Sequence, residues 1–428
     1  MLTRLDLRGA AGDIRSRLPR PSPSGPDPVD VVRQVLAEVR KRGDAAVREY
    51  TERFDRVVLD HFRVPRAELD AALAATPGPL RAALEYAAAA VADYHRTQVR
   101  PQNRHQRDGV VVREIPVPVD RAGLYVPGGR AGYPSTVLMT AVPARVAGVP
   151  ELALCVPPRS DGSVDPPTLA AAALAGVDEV YRIGGAQAVA AMAYGTESVP
   201  AVDVIVGPGN VFVAVAKREV QAEGVVGVPA GFAGPSEVVV IADRSTVVEH
   251  AAVDVVVQAE HGPDGLAWLV TWSEEVADAV TAAVGRLVAD SPRRADIEAT
   301  LGDGGYAVVV DGPEQAVEVA NAIAPEHLEL MNADPEALLP LVRHAGAVFC
   351  GPWAPASVGD YLAGPSHVLP TFGSARFASG LRVDDFVRYV HAVSLDADAL
   401  ARVAPSVTTL ADAEGLAAHA QSVRMRLS

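Results

Sequence analysis

Four short stretches of the chain carry the side chains best suited to gripping a cation or moving a proton: Gln258 with His261, the pair Glu326-His327, Asp360, and Glu414 with His419. None is a motif alone. Gathered in one pocket, they would offer a divalent ion two imidazoles, a carboxylate and an amide, and would leave one imidazole and one carboxylate for chemistry. Gln258 and His261 lie near the end of a segment whose apolar positions include Val248, Ala252, Val255 and Val256, so a helix would place both on one face. Gly262 and Pro263 then end that helix. An imidazole and a side-chain carbonyl on one turn can hold a borderline cation such as zinc, although a lone histidine at a helix end more often bonds the last carbonyls. Glu326-His327 falls between Ala324-Pro325 and Leu328-Glu329-Leu330, where a helix gives way to an extended segment. An imidazole of solution pKa about 6.5 suits removal of an alcohol proton near neutral pH, and the adjacent carboxylate could activate water. A solvated turn is the plainer reading of the dipeptide by itself. Asp360 and His367 sit among glycines and prolines in GDYLAGPSHVLP, a density that marks a shaped loop, with an Asp turn-cap as the simpler account. Glu414 and His419 belong to the terminal helical stretch and do not share one narrow stripe, so an exposed helix surface also explains them.

Elements able to position such groups follow from periodicity. Residues 19–28, PRPSPSGPDP, form a connector that no helix or central strand could include. Val32, Val35, Leu36 and Val39, then Val47, Tyr50 and Phe54, predict two amphipathic helices broken at Gly43. From about residue 110, β-branched runs alternate with Ala-rich stretches, the pattern of a mostly parallel sheet covered by helices. Strands are predicted at 151–156, 179–183, 202–206, 238–242, 266–271, 306–310 and 347–350, and TLADAEGLAAHAQSVRMRLS as one terminal helix. Two strand-to-helix turns are glycine-rich, Gly184-Gly185-Ala186-Gln187 and Gly207-Pro208-Gly209-Asn210, and could bring backbone N–H groups up to a phosphate. Neither matches the full dinucleotide fingerprint, so a tight α/β turn explains each equally simply.

Bulk composition narrows the classes. At 428 residues the chain exceeds one ordinary core. Its net charge of −15 and lack of a basic stripe argue against nucleic acid as a partner. The N-terminal segment has no apolar core of signal-peptide length, and no run approaches the roughly 20 apolar residues of a membrane span. With two cysteines, Cys155 and Cys350, each in a hydrophobic run, the expectation is a soluble cytoplasmic protein. A cysteine-dependent aldehyde dehydrogenase, a zinc hydrolase using Glu326, and a non-catalytic binding module remain as rivals at this stage.

Taken together, GLYVPGGRAGYPSTVLM, RIGGAQAVAAMAYGT, VGPGNVFVAVAKR, AGPSEVVVIAD, QAEHGPDG, APEHLEL, GDYLAGPSHVLPTFG, SGL and EGLAAH, in this order over residues 123–419, resemble the histidinol dehydrogenase family. The resemblance implies oxidation of L-histidinol through L-histidinaldehyde to L-histidine, the final step of histidine biosynthesis, with one zinc ion per subunit and two NAD consumed per turnover. It implies Gln258, His261, Asp360 and His419 as metal ligands, which with Ser236, His327, His367 and Glu414 would meet the substrate. Glu326 and His327 become the acid/base pair, and Tyr125, Gln187 and Asn210 the NAD contacts. It further implies an α/β fold of two incomplete Rossmann-like domains, one inserted in the other, with a small N-/C-terminal helical appendage used in dimerisation. The corresponding boundaries are an arm at 1–26, an α/β domain at 27–125 and 237–381, an inserted NAD-binding domain at 126–236, and a dimerisation segment at 382–428. A homodimer with shared active sites follows, residues of the last segment serving the partner's site.

Overall fold

The computed structural model describes residues 1–10, 12–19, 28–128, 132–177, 179–230, 234, 236–260 and 265–428. Its strands are β1 (Thr3–Asp6), β2 (Asn103–Arg107), β3 (Val110–Pro118), β4 (Arg121–Tyr125), β5 (Glu151–Val156), β6 (Glu179–Arg182), β7 (Val204–Val206), β8 (Glu237–Ala242), β9 (Leu266–Thr271), β10 (Gly305–Val309), β11 (His327–Leu330), β12 (Ala347–Cys350) and β13 (Val387–Ser394). Six of them form a parallel sheet in the order β1-β10-β9-β8-β11-β12. A second parallel sheet runs β6-β5-β4-β7, and β13-β3-β2 make a small antiparallel one.

Strands buried on both faces must be apolar nearly throughout, and EVVVIA of β8 and LAWLVT of β9 are buried at every position. Alternate residues feed separate cores. Val238, Val240 and Ala242 pack with Ala251, Ala252, Val255 and Ala259 of the helix Val248–Ala259. Val239 and Ile241 face the other way, onto Val317 and Ala320 of the helix Pro313–Ile323. The four-stranded sheet is likewise covered on both sides, with Leu124 and Leu154 in one cluster and Tyr125, Cys155 and Ile205 in the other.

The domain boundaries differ from those expected. Val32, Val35, Leu36 and Val39 of the helix Val29–Arg42 pack on Val189 and Met192 of the helix Gly185–Tyr194. Leu84 and Val91 of the helix Gly78–Arg96 likewise join the core under the smaller sheet. The first helical stretch therefore belongs with the unit read as inserted, because its apolar stripes find their partners there, and β4 is a central strand of that same sheet. Nor is the start of the chain a free arm, since Thr3–Asp6 pairs in parallel register with Tyr306–Val309. The C-terminus is two helices, Ala397–Ala413 and Ala417–Arg424, in place of the one expected; Gly415 between them takes a φ of +71°, which a helix interior cannot accommodate. The connector at 20–27 lies outside the described residues.

The contact between the ends of β11 and β12 depends on one glycine. Gly346 donates to the Pro325 carbonyl at 2.9 Å, and a Cβ on it would lie 2.6 Å from the Glu326 carbonyl oxygen. Gly346→Ala should therefore cost about 2–4 kcal/mol in urea denaturation, as expected for overpacking against backbone. A loss below about 0.5 kcal/mol, the level of ordinary surface substitutions, would mean the two strand ends do not approach this closely.

Candidate active site

His327 opens β11 and Glu329 follows on the same side, since side chains alternate along a strand. Their register partners on β8 are Val238 and Val240, whose side chains point toward the helix Val248–Ala259. That helix carries Asp254 and Gln258 one turn apart, both buried. A two-residue period on the strand and a four-residue period on the helix thus bring His327, Glu329, Asp254 and Gln258 to one interface. Asp360 enters from the short helix Ala356–Tyr361, its Oδ1 3.6 Å from His327 Nε2. The segment expected to be a loop is helical at Asp360, and Glu329 anchors the start of this helix by accepting from Ala356 N at 2.9 Å.

Glu326 precedes the strand and is buried, accepting from the Glu237 amide at 3.3 Å. The Ser236 side chain also bonds its carboxyl. Burial dominates these bonds and, with the nearby Asp360 and Glu237 charges, pushes the Glu326 carboxyl up to about 8. Burial likewise raises Glu329, and Asp254 facing it adds to the rise; Asp254 is itself raised by burial. Among the described residues no lysine or arginine forms an ion pair with Glu326, Glu329, Asp254 or Asp360. His367 is held by two bonds, Nδ1 to the Asp360 carbonyl at 2.9 Å and Nε2 to Thr136 Oγ1 at 3.2 Å. His327, Asp360 and His367 line one cavity of about 470 Å³, joined by Tyr94, Gln98 and Phe349.

Other expected site residues fall elsewhere. His261 lies outside the described residues. Glu414 and His419 are exposed on the C-terminal helices and line neither this cavity nor the one described next. Tyr125, Gln187 and Asn210 share a different cavity, of about 760 Å³, at the carboxyl ends of β4, β6 and β7. There the Tyr125 hydroxyl accepts from Gly185 N at 3.1 Å, and Asn210 caps the helix Val211–Ala222 through Phe212 N and Val213 N. Gln187 is fully buried and donates to Asp55 at 3.3 Å, while its Oε1 has no partner among the described residues. An unsatisfied buried acceptor facing a cavity is suited to a ligand donor.

The donor chemistry around His327 fits a divalent cation. Gln258 is 4% exposed and its amide oxygen is the atom able to meet a cation, while Asp254 one turn away and Glu329 have no basic ion-pair partner among the described residues. Among the described residues no three His, Cys, Asp or Glu side chains form a metal cage. The candidate set instead draws on an amide, on Asp360 and on His261. Cysteine chemistry is disfavoured: burial pushes the Cys155 thiol up to about 12 and raises Cys350, so neither is a ready thiolate.

Asp254, Glu329, Asp55 and Lys217 were not singled out from sequence. Spacing alone could have found the first two, four before Gln258 and two after His327. Lys217 shares the helical stripe of Val213, Ala216 and Val220, a spacing that could have marked it, whereas nothing local to Asp55 distinguishes it from a surface charge.

The family model described as histidinol dehydrogenase matches residues 19–427. Histidinol dehydrogenase from Parasynechococcus marenigrum is 51% identical over 404 residues, 94% of this chain and 90% of that protein. The Chlorobaculum tepidum enzyme of the same name is 47% identical over 97% of this chain and 96% of its own length. The crystal structure of histidinol dehydrogenase from Elizabethkingia anophelis superposes with a TM-score of 0.94 at 33% identity, covering 100% of this chain and 98% of that one. Fold and family therefore define an α/β oxidoreductase. The chain belongs to the histidinol dehydrogenase family.

The raised Glu326 carboxyl has a stability consequence in protein stripped of divalent ions. A carboxyl whose folded pKa lies above its unfolded value favours folding when protonated and opposes it when ionised. The penalty is absent below about pH 4 and grows as pH rises toward 8. Glu326→Gln should then be more stable than wild type at pH 8 by roughly 2–4 kcal/mol, with the gap closing toward pH 4.5. Denaturant titrations at both pH values test this; a gap that is flat with pH would mean the carboxyl is ionised at little cost.

Proposed function

We propose that the chain oxidises L-histidinol to L-histidine by way of L-histidinaldehyde, passing two hydrides in turn to two molecules of NAD, as the final step of histidine biosynthesis. The observation that carries this reading is the buried Glu326-His327 pair, with Asp360 3.6 Å from the imidazole, in a chain of this family. Zinc fits the same place: Gln258, His261 and Asp360, with His419 of the partner subunit, would hold it, and it would supply a positive centre that orients the substrate's imidazole and amine nitrogens.

The chain's own residues account for the proton movements. His327 accepts the hydroxyl proton as the first hydride leaves the carbinol carbon, and Asp360 beside it favours the imidazolium that results. Glu326, its carboxyl poised near neutrality by burial, accepts a proton from the water that adds to the aldehyde. His327 then takes a proton from the hydrate as the second hydride departs, leaving the carboxylate. One alcohol, one water and two NAD give one carboxylate, two NADH and three protons. Ser236 and the Glu237 amide hold Glu326 in place for its step. His367, fixed by Thr136 and the Asp360 carbonyl, presents its ring to the cavity. Tyr125, Gln187 and Asn210 would line the dinucleotide site.

A homodimer with shared sites completes the reading. Glu414 and His419 belong to a C-terminal stretch that exposes Leu410, Leu416, Met425 and Leu427, an apolar surface suited to a second copy. A cytoplasmic setting agrees with two free cysteines, and no described helix is long and apolar enough to cross a membrane.

Two experiments test the function. Purified protein with L-histidinol, NAD and zinc should form two NADH per substrate consumed, and a ratio of one would show that the aldehyde escapes. His327→Asn should lower kcat by about 10²–10⁴-fold, the usual worth of a general base, with KM little changed; near-normal turnover would remove His327 from that role. Shared sites predict complementation: subunits of H327N and H419A, each nearly inactive alone, should regain about a quarter of wild-type activity after exchange, because half the dimers then hold one intact site. No recovery in verified heterodimers would place His419 in its own subunit's site or in none.

A further inference from the structure

Lys217 is one of two lysines in the chain and is buried, 2% exposed, on the inner face of the helix Val211–Ala222 with Val213, Ala216 and Val220. Its ammonium donates to the Gly207 carbonyl and lies 5.9 Å from the centroid of the Tyr125 ring. Gly207 takes a φ of +102° and packs so closely on β4 that a Cβ there would lie 2.1 Å from the Tyr125 carbonyl oxygen. The Tyr125 hydroxyl in turn accepts from Gly185 N, at the start of the helix that carries Gln187. One ammonium therefore ties together the Gly207–Asn210 turn, β4 and, through Tyr125, the other glycine turn. Those three parts carry Asn210, Tyr125 and Gln187 into the 760 Å³ cavity, which Lys217 itself does not line.

Stability does not explain a lysine here. Burying an ammonium is costly unless it is paired, and a methionine would fill the same space without that cost. Among the described residues no carboxylate pairs with the ammonium: burial alone pushes it down to about 7, and the Tyr125 ring, whose phenol feels Asp55 and Cys155, lies 5.9 Å from it. Of its three N–H donors one is used by Gly207. Lys217 thus sits just behind the turn that opens a helix, where the backbone already favours anions, and a phosphate bound there would favour the charged ammonium.

Resting on the NAD reading of this cavity, we propose that Lys217 is a positioning residue for the cofactor: its ammonium clamps the Gly207–Asn210 turn against Tyr125 and adds a buried positive charge that attracts the dinucleotide's phosphates. The test uses the zinc-loaded full-length enzyme and compares wild type, K217M and K217Q by NAD titration calorimetry, steady-state kinetics and thermal melting. K217M should raise both the Kd and the KM for NAD tenfold or more, with kcat and the KM for L-histidinol within twofold and the melting temperature unchanged or higher. K217Q, which keeps a donor for the Gly207 carbonyl without the charge, should fall between, and it answers the question if K217M does not fold. A Kd for NAD within twofold of wild type in a folded variant overturns the proposal. So does a rise in both substrates' KM that tracks a fall in melting temperature, which would mark a purely structural role. If wild type itself neither binds nor reduces NAD, the cofactor reading fails at the control, before any variant is compared.

Discussion

Uncompensated negative charge around one buried imidazole governs this structure. Glu326, Glu329, Asp254 and Asp360 surround His327, with no lysine or arginine ion-paired to them among the described residues. Several like charges cannot share a low-dielectric interior, so the protein must hold protons there or bind a cation. The raised Glu326 and Glu329 carboxyls are the first response. Gln258, buried one turn from Asp254 on the facing helix, has an amide oxygen suited to the second. Poising a carboxyl near neutrality is also what a residue that gives and takes protons at physiological pH requires.

The two parallel sheets use opposite edges. In the smaller sheet the larger cavity opens at the carboxyl ends of β4, β6 and β7, where open α/β sheets ordinarily bind ligands, and the glycine turns after β6 and β7 begin helices there. In the larger sheet the chemistry gathers at the amino ends: Ser236 and Glu237 at the start of β8, Glu326 and His327 at the start of β11, and Gly346 before β12. That placement makes the close approach at Gly346 a condition for where Glu326 points, so packing and the proposed chemistry meet at one backbone position.

Sequence periodicity reached most of the parallel strands and the helices that cover them because burial on both faces leaves long apolar runs, as in β5, β8 and β9. It missed β1, β2, β3, β4 and β13, of which β1 and β4 are short, β2 and β13 are largely exposed, and β3 is interrupted by Arg113, Glu114 and Pro116. It also put the first helices with the wrong sheet, since an amphipathic stripe such as Val32, Val35, Leu36 and Val39 declares that it will be buried but not against what. Residue types identified Glu326, His327 and Asp360 as able to do chemistry, and the register of β11 against β8 is what adds Glu329 and Asp254 to them. Asp55 was invisible because nothing local marks a charge that the fold will half-bury, whereas Lys217 lies on an apolar helix stripe with Val213, Ala216 and Val220.

A single chain brings Gln258, His327, Asp360 and the acidic pair to one interface but leaves His419 and Glu414 exposed on a separate pair of helices. The proposed active site is therefore a property of two chains and of the ion between them. Diffraction recorded across the zinc absorption edge, from crystals of active enzyme, tests this most directly. The account predicts one anomalous peak per chain, about 2.0–2.3 Å from the side chains of Gln258, His261 and Asp360, with His419 of the partner subunit as the fourth ligand. Active crystals with no metal at that position, or with the ion bound elsewhere, would contradict it.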